Sequence, residues 1–119
     1  MSTLPFYKMH GLGNDFVLMN GPDLPANQDI NALARQVCNR HFGIGADGLI
    51  VSWPAENAHA RMQILNSDGS ESEMCGNGLR CFAEFLYQQG VTPDCLDIQT
   101  GAGLLSVERQ SHELKRVNM

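Results

Sequence analysis

Two hydrophobic periods divide this chain. Phe6 to Met9 and Phe16 to Met19 are short apolar runs of strand type, and His10-Gly11-Leu12-Gly13-Asn14-Asp15 between them has the composition of a loop. Ile30, Leu33, Ala34, Val37 and Cys38 recur at helical spacing, with Asn27 or Asp29 as the N-cap. Gly43 and Gly45 close that region, and Leu49 to Trp53 follows as a strand ended by Pro54. From Ala60 to Leu65, Met62 and Ile64 alternate with Arg61 and Gln63, which suits a half-buried strand. Asn66-Ser67-Asp68-Gly69-Ser70 then has strong turn chemistry.

A second helical pattern runs from about Asn77 to Gln89, with Gly90 as its stop. Leu79, Phe82, Ala83 and Leu86 mark one face, and Cys81 and Phe85 widen it. A helix with so broad an apolar surface is expected to be wrapped by sheet rather than laid on one. Leu96 to Thr100, Leu104 to Val107 and Leu114 to Val117 supply three more strands. The sum is an α+β fold, mainly antiparallel sheet curled around a central helix. Neither repeat nor linker interrupts it, so residues 1–119 are expected to form one domain. The last strand stops without a turn or polar tail, as a chain cut at a domain boundary would.

Composition narrows the classes. Of 119 residues, 43% are hydrophobic and 18% charged, which supports a packed core and argues against disorder. The net charge of -5, with eight Lys and Arg and no basic run, argues against nucleic-acid binding. No apolar stretch reaches membrane-spanning length, and Met1 to His10 lacks the apolar core of a signal peptide, so no membrane partner is expected. The four cysteines, Cys38, Cys75, Cys81 and Cys95, include no pair at the two-residue spacing of zinc or redox sites. Free thiols in a reducing cytoplasm are the expectation, with Cys38, Cys81 and Cys95 buried as structural residues.

Cys75 is the exception. It stands in Met74-Cys75-Gly76-Asn77-Gly78, at the start of the second helix. Unpaired N–H groups and the positive end of the helix dipole favour a thiolate there. The same donors suit a carboxylate. A base and an anion anchor on one segment point to chemistry on an amino or hydroxy acid.

Several segments together resemble the diaminopimelate epimerase family. They are Lys8-Met9-His10-Gly11-Leu12-Gly13-Asn14-Asp15-Phe16, Phe42-Gly43-Ile44-Gly45-Ala46-Asp47-Gly48, Asn66-Ser67-Asp68-Gly69-Ser70-Glu71, Met74 to Phe82, and Thr100-Gly101-Ala102-Gly103. The resemblance covers the whole chain in order but only about half of the family's length. It implies the N-terminal lobe of a two-lobe enzyme, with the C-terminal lobe absent and the active site in the cleft between lobes. Such enzymes interconvert LL- and meso-diaminopimelate, on the route to lysine and peptidoglycan, without pyridoxal phosphate or metal. One cysteine thiolate removes the α-proton, and the thiol of the other lobe delivers a proton to the opposite face.

Carried onto this sequence, the resemblance makes Cys75 the acid/base of this lobe. Gly76 and Asn77 would offer backbone N–H groups to the α-carboxylate, and Asn14 and Asn66 would hydrogen-bond the substrate's polar groups. Some family members place a substrate-contacting Gln where Gly48 stands, a contact that Gly48 does not supply. The resemblance also implies a cytoplasmic enzyme that needs no cofactor or metal, with the C-terminal lobe as partner and a homodimer when full-length. Two alternatives stand beside it: a relative of proline or hydroxyproline racemase, and a half-length module that binds a small acid or a partner without chemistry.

Each residue also has an ordinary explanation. Asn14 and Asn66 could simply cap their own turns. His10 is expected to hold the Gly11 to Asp15 loop in shape, and Asp15 and Asp47 to hydrogen-bond backbone in their glycine-rich loops. His41, His59 and His112 look structural or solvated. Met9, Met62 and Met74 fill core, and Glu71 and Glu73 are expected to point to solvent.

Overall fold

The computed structural model describes residues 5–11, 13–72, 76–109 and 115–118. The first two strands are β1 (Tyr7–Gly11) and β2 (Asn14–Asn20), an antiparallel hairpin. The segment expected as a loop is therefore two strand ends around a tight turn, in which Gly13 takes the left-handed conformation at φ +83. A single 3₁₀ turn, Gly21–Asp23, leads to helix α1 (Ile30–Cys38), capped by the Asp29 carboxylate accepting from the Ala32 N–H at 3.1 Å.

Strands β3 (Gly48–Trp53) and β4 (Ala60–Asn66) pair antiparallel, and the short β5 (Glu71–Ser72) folds back on β4. Helix α2 (Gly76–Gln88) follows, then β6 (Cys95–Thr100), β7 (Gly103–Arg109) and β8 (Lys115–Asn118). Helix α2 stops on Gly90 at φ +98. The Val91 N–H reaches the Leu86 carbonyl and the Gly90 N–H that of Tyr87, the paired bonds of a glycine-terminated helix.

The strands form one sheet in the order β1-β2-β3-β4-β6-β7-β8, with β5 also on β4. Most neighbours are antiparallel, as expected. Two pairs are parallel, β2 with β3 and β4 with β6. Parallel strands need a long crossover, and each of these pairs is bridged by one of the two helices. The helices pack on opposite faces of the sheet. Phe16, Leu18, Ile50, Met62 and Ile64 pack with Leu79, Phe82 and Phe85 of α2. Val17, Met19, Leu49, Val51 and Leu65 pack with Leu33, Ala34 and Cys38 of α1. Strand alternation sends successive residues of β2 into these two cores in turn.

Helix α2 touches β1 and β8, the two ends of the strand order, as well as β2, β3 and β4. The sheet is thus curled around it, in line with its broad apolar surface. Leu79, Phe82, Ala83 and Phe85 are fully buried. The link between β4 and β6 is only two residue pairs long, Ala60 with Ile98 and Arg61 with Gln99, which leaves the sheet free to bend there.

Candidate active site

The register collects one end of four strands. Met9 lies beside Phe16, Phe16 beside Gly48 and Gly48 beside Asn66. Because β1 and β2 are antiparallel, β2 and β3 parallel, and β3 and β4 antiparallel, Gly11, Asn14, Gly48 and Asn66 all stand at the same edge of the sheet. The start of α2 sits over this edge. Gly78 is buried, and a Cβ there would lie 3.1 Å from Ile64 Cδ1, 3.4 Å from Ile50 Cδ1 and 3.5 Å from Phe16 Cζ. Its missing side chain is what lets the first turn of α2 descend onto the strand ends.

Of the residues singled out from the sequence, Asn14, Gly76 and Asn77 come together. Asn77 Nδ2 donates to Asn14 Oδ1 at 2.9 Å, tying the start of α2 to the start of β2. All three are half-buried. Asn66 stands at the same sheet edge, two strands away, which is about 10 Å at the usual strand spacing. It is exposed, and its side-chain amide donates to Ser70 Oγ at 3.0 Å within the 66–70 turn. Cys75 precedes Gly76 in the chain and lies outside the described residues, as do Leu12, Glu73, Met74 and His112.

The two aspartates do bond backbone, and they do it to each other's segments. The Asp47 N–H donates to the Asp15 carbonyl and to Asp15 Oδ1, each at 3.0 Å, while the Asp15 N–H donates to Asp47 Oδ2 at 3.0 Å. Arg40 joins them: its Nη2 is 3.1 Å from Asp15 Oδ1 and 3.1 Å from Asp47 Oδ1. Lys8 Nζ adds a second cation, 3.5 Å from Asp15 Oδ2. Sequence reasoning missed Arg40. Its partners are 25 and 7 positions away in sequence, and a cation just past a helix C-terminus is already accounted for by the helix dipole.

The Arg40 guanidinium, helped by the Asp47 N–H, holds the Asp15 carboxyl well below the usual aspartate range. The Asp15 side chain is only 12% exposed, but Arg40 is 56% exposed, so solvent screens the guanidinium side of the pairing. A carboxyl with a depressed folded-state pKa stabilises the fold above its unfolded pKa and loses that contribution as pH falls toward the folded value. Acid should therefore erode stability from about pH 4 downward. Asp15→Asn is expected to cost about 1.5–3 kcal/mol near neutrality, the range for a hydrogen bond to a charged group. The same variant should flatten the acid limb. Urea unfolding at several pH values checks both, and an Asp15→Asn chain with the native acid limb would remove Asp15 as its source.

Cys38 and Cys81 are buried as expected, but Cys95 is exposed. In β6 the inward positions are Leu96 and Ile98, so strand alternation turns Cys95 outward. His10 is an exposed strand residue in register with Asp15, not the prop of a loop. Glu71 is exposed as expected.

Burial, with the charge of Asp15 behind it, pushes the Cys38 thiol up to about 11. Under limiting alkylating reagent Cys95 is expected to react well before Cys38, as adduct mapping by mass spectrometry will show. Labelling of Cys38 at the rate of Cys95 would contradict the packing of α1. Gly48 is buried, and a Cβ there would lie 2.9 Å from the Leu65 carbonyl oxygen, so a longer side chain at this position needs the strands to shift. Among the described residues no three His, Cys, Asp or Glu side chains converge as metal ligands, and no helix is long and apolar enough to cross a membrane.

Comparison with known proteins adds the rest. The family model described as diaminopimelate epimerase matches residues 6–119. A diaminopimelate epimerase of Halothermothrix orenii is 51% identical over 98% of this chain and 43% of its own length. One from Moorella thermoacetica is 55% identical over 84% of this chain and 36% of its own. The chain thus spans less than half the length of these curated relatives. Among solved structures, the Bacillus anthracis phenazine biosynthesis protein of the PhzF family superposes with a TM-score of 0.72 at 20% identity, over 91% of this chain and 36% of that one. A hydroxyproline epimerase from Agrobacterium vitis gives 0.69 at 18% identity, over 91% and 37%. At such identities the two structures speak for the fold alone.

Proposed function

The chain belongs to the diaminopimelate epimerase family, and we propose that it is the N-terminal lobe of a cofactor-independent epimerase interconverting LL- and meso-diaminopimelate. On this reading residues 1–119 are one lobe, and a C-terminal lobe supplies the other wall of the cleft and the second cysteine. The complete enzyme works in the cytoplasm as a homodimer, on the route to lysine and peptidoglycan.

The supporting observation is the seating of the α2 start over the strand ends, with Asn77 bonded to Asn14 and Cys75 next in the chain before Gly76. The first N–H groups of a helix have no partner within it, and the helix dipole adds positive potential there. A substrate α-carboxylate bound by the Gly76 and Asn77 N–H groups would be stabilised most when negative charge spreads onto it, which happens as the α-proton leaves. The Cys75 thiolate takes that proton, breaking the C–H bond. The thiol of the second lobe delivers a proton to the opposite face. Asn14 and Asn66, from two different strand ends, hold the substrate's polar groups and so set its orientation. Orientation matters because the α-proton of an amino acid is very weakly acidic. Fixed geometry can lower the barrier by roughly 7–11 kcal/mol, leaving electrostatics to supply the remainder.

A chimera tests the proposal. In it, this chain replaces the segment it matches in the Halothermothrix orenii relative. The chimera is expected to interconvert LL- and meso-diaminopimelate and to exchange the α-proton in deuterated water, whereas the 119-residue chain alone exchanges little or none. A folded chimera without exchange would defeat the assignment. Exchange by the single lobe at the chimera's rate would defeat the two-lobe mechanism.

A further inference from the structure

We infer that Asp47, held by Arg40, is a positioning residue that fixes the side-chain amide of Asn14 in one orientation toward the substrate. The inference rests on the reading of Asn14 as a substrate contact and goes beyond it, because Asp47 and Arg40 are given no role by the mechanism above.

An asparagine amide has two nearly isosteric orientations, and its hydrogen-bond partners decide between them. For Asn14 both partners are visible. Nδ2 points at Asp47 Oδ2, 3.4 Å away, and Oδ1 receives the Asn77 Nδ2 proton at 2.9 Å. The first contact is long, but its direction is settled by chemistry: an ionised carboxylate can only accept, so the nitrogen must face it. Flipping the amide would set Oδ1 against the carboxylate, a repulsive contact in place of an attractive one, and would force Asn77 to turn its own amide as well. The amide keeps one N–H and one lone pair beyond these bonds, a donor and an acceptor in fixed positions at the sheet edge.

Asp47 can serve this way because it is itself fixed. Its Oδ2 also accepts the Asp15 N–H at 3.0 Å, and its Oδ1 takes Arg40 Nη2 at 3.1 Å. That same nitrogen reaches Asp15 Oδ1 at 3.1 Å, so one guanidinium bridges two carboxylates that would otherwise repel across the gap between β2 and β3, and Lys8 Nζ, 3.5 Å from Asp15 Oδ2, supplies the second positive charge. A chain of contacts therefore runs from Arg40, just past the end of α1, through Asp47 and Asn14 to Asn77 in the first turn of α2. It links the helix on one face of the sheet to the start of the helix on the other.

The test has one arm without activity and one with it. In the ¹⁵N-labelled 119-residue chain, Asp47→Ala is expected to shift the Asn14 side-chain amide signals and to speed their hydrogen exchange, while Asp94→Ala, at an exposed position, leaves them in place. If Asp47→Ala loses the native spectrum, Asp47→Asn carries the comparison, with a smaller shift in the same signals. Unchanged Asn14 signals in the folded variant overturn the inference whatever the chimera does.

In the chimera, Asp47→Ala and Asn14→Ala should each lower kcat/KM for diaminopimelate by roughly tenfold to a hundredfold, as small misplacements of a bound reactant do. The double variant should lose little more than either single one, because both changes remove the same contact. Arg40→Gln should follow Asp47→Ala in direction. Multiplied losses in the double variant would mean that Asp47 supports structure and not Asn14, and would overturn the inference. An inactive native chimera defeats the epimerase proposal, and the amide signals still decide the role of Asp47.

Discussion

Cys75→Ala in the chimera is expected to lower α-proton exchange by about a thousandfold or more, within the range ascribed to a positioned acid/base. The thiolate is the only base that this lobe is proposed to offer to the α-carbon, so nothing nearby replaces it. Cys75→Ser should fare almost as badly, since a hydroxyl is far less acidic than a thiol and is hardly ionised at neutral pH. Cys95→Ala is the matched control. Cys95 is exposed and precedes the Ala60 end of the β4–β6 pairing, at the opposite end of the sheet from Asn66, so its loss should leave exchange unchanged. Circular dichroism of each variant separates chemistry from folding. A Cys75→Ala chimera that keeps its fold and loses less than tenfold would make Cys75 a bystander, and the proposed mechanism would have no base on this lobe.

The elements that the sequence predicted well are those whose own residues carry the signal. Asp29 caps α1 because its side chain reaches a backbone N–H three residues on, a contact local to the sequence. Gly90 ends α2 because a left-handed residue is needed there, and glycine has no Cβ to oppose it. The wrapping of α2 was legible in the width of its apolar surface, and the outcome is burial of Leu79, Phe82 and Phe85 with contacts to both ends of the sheet. Strand pairing was less legible. Alternation along β4 says which side chains point inward but not which strand lies alongside, so the two parallel pairs were not foreseen.

At the candidate site the division is similar. Asn14, Gly76 and Asn77 were marked by the family motifs, and they converge. Segment 10–15 was read as a loop because Gly11, Gly13 and Asn14 are turn residues. The hydrogen bonds that make Asn14 and Asp15 strand residues come from β1 and from Asp47, just before β3, and are invisible along the chain. Arg40 carries no local signal at all, since its role exists only once Asp15 and Asp47 have been brought side by side. Cys95 was misjudged by residue type: free cysteine is usually buried, but its place next to Leu96 in an alternating strand turns it outward.

Phe82→Ala should be the most damaging single truncation in the fold, costing about 3–5 kcal/mol of unfolding free energy. The ring is fully buried on α2 and stacks against Phe85 with centroids 6.4 Å apart, and Phe85 in turn makes a T-shaped contact with Tyr7 in β1, centroids 5.2 Å apart. Removing it opens a cavity on the axis around which the sheet curls, where neighbours from several strands cannot all move in to fill it. Domains of this size have about 5–15 kcal/mol in total, so the variant should lose a large part of its stability or fail to hold its fold. Leu104→Ala is the contrast. Leu104 is 54% exposed on β7, and its truncation should stay within about 0.5 kcal/mol. Urea unfolding measures both. The comparison also bears on whether the chain folds on its own, because α2 touches the first and last strands of the same sheet. If the native chain unfolds in one transition and Phe82→Ala moves it by less than 1 kcal/mol, α2 is not the centre of the core. The start of that helix would then be too loosely held to position Asn77 against Asn14.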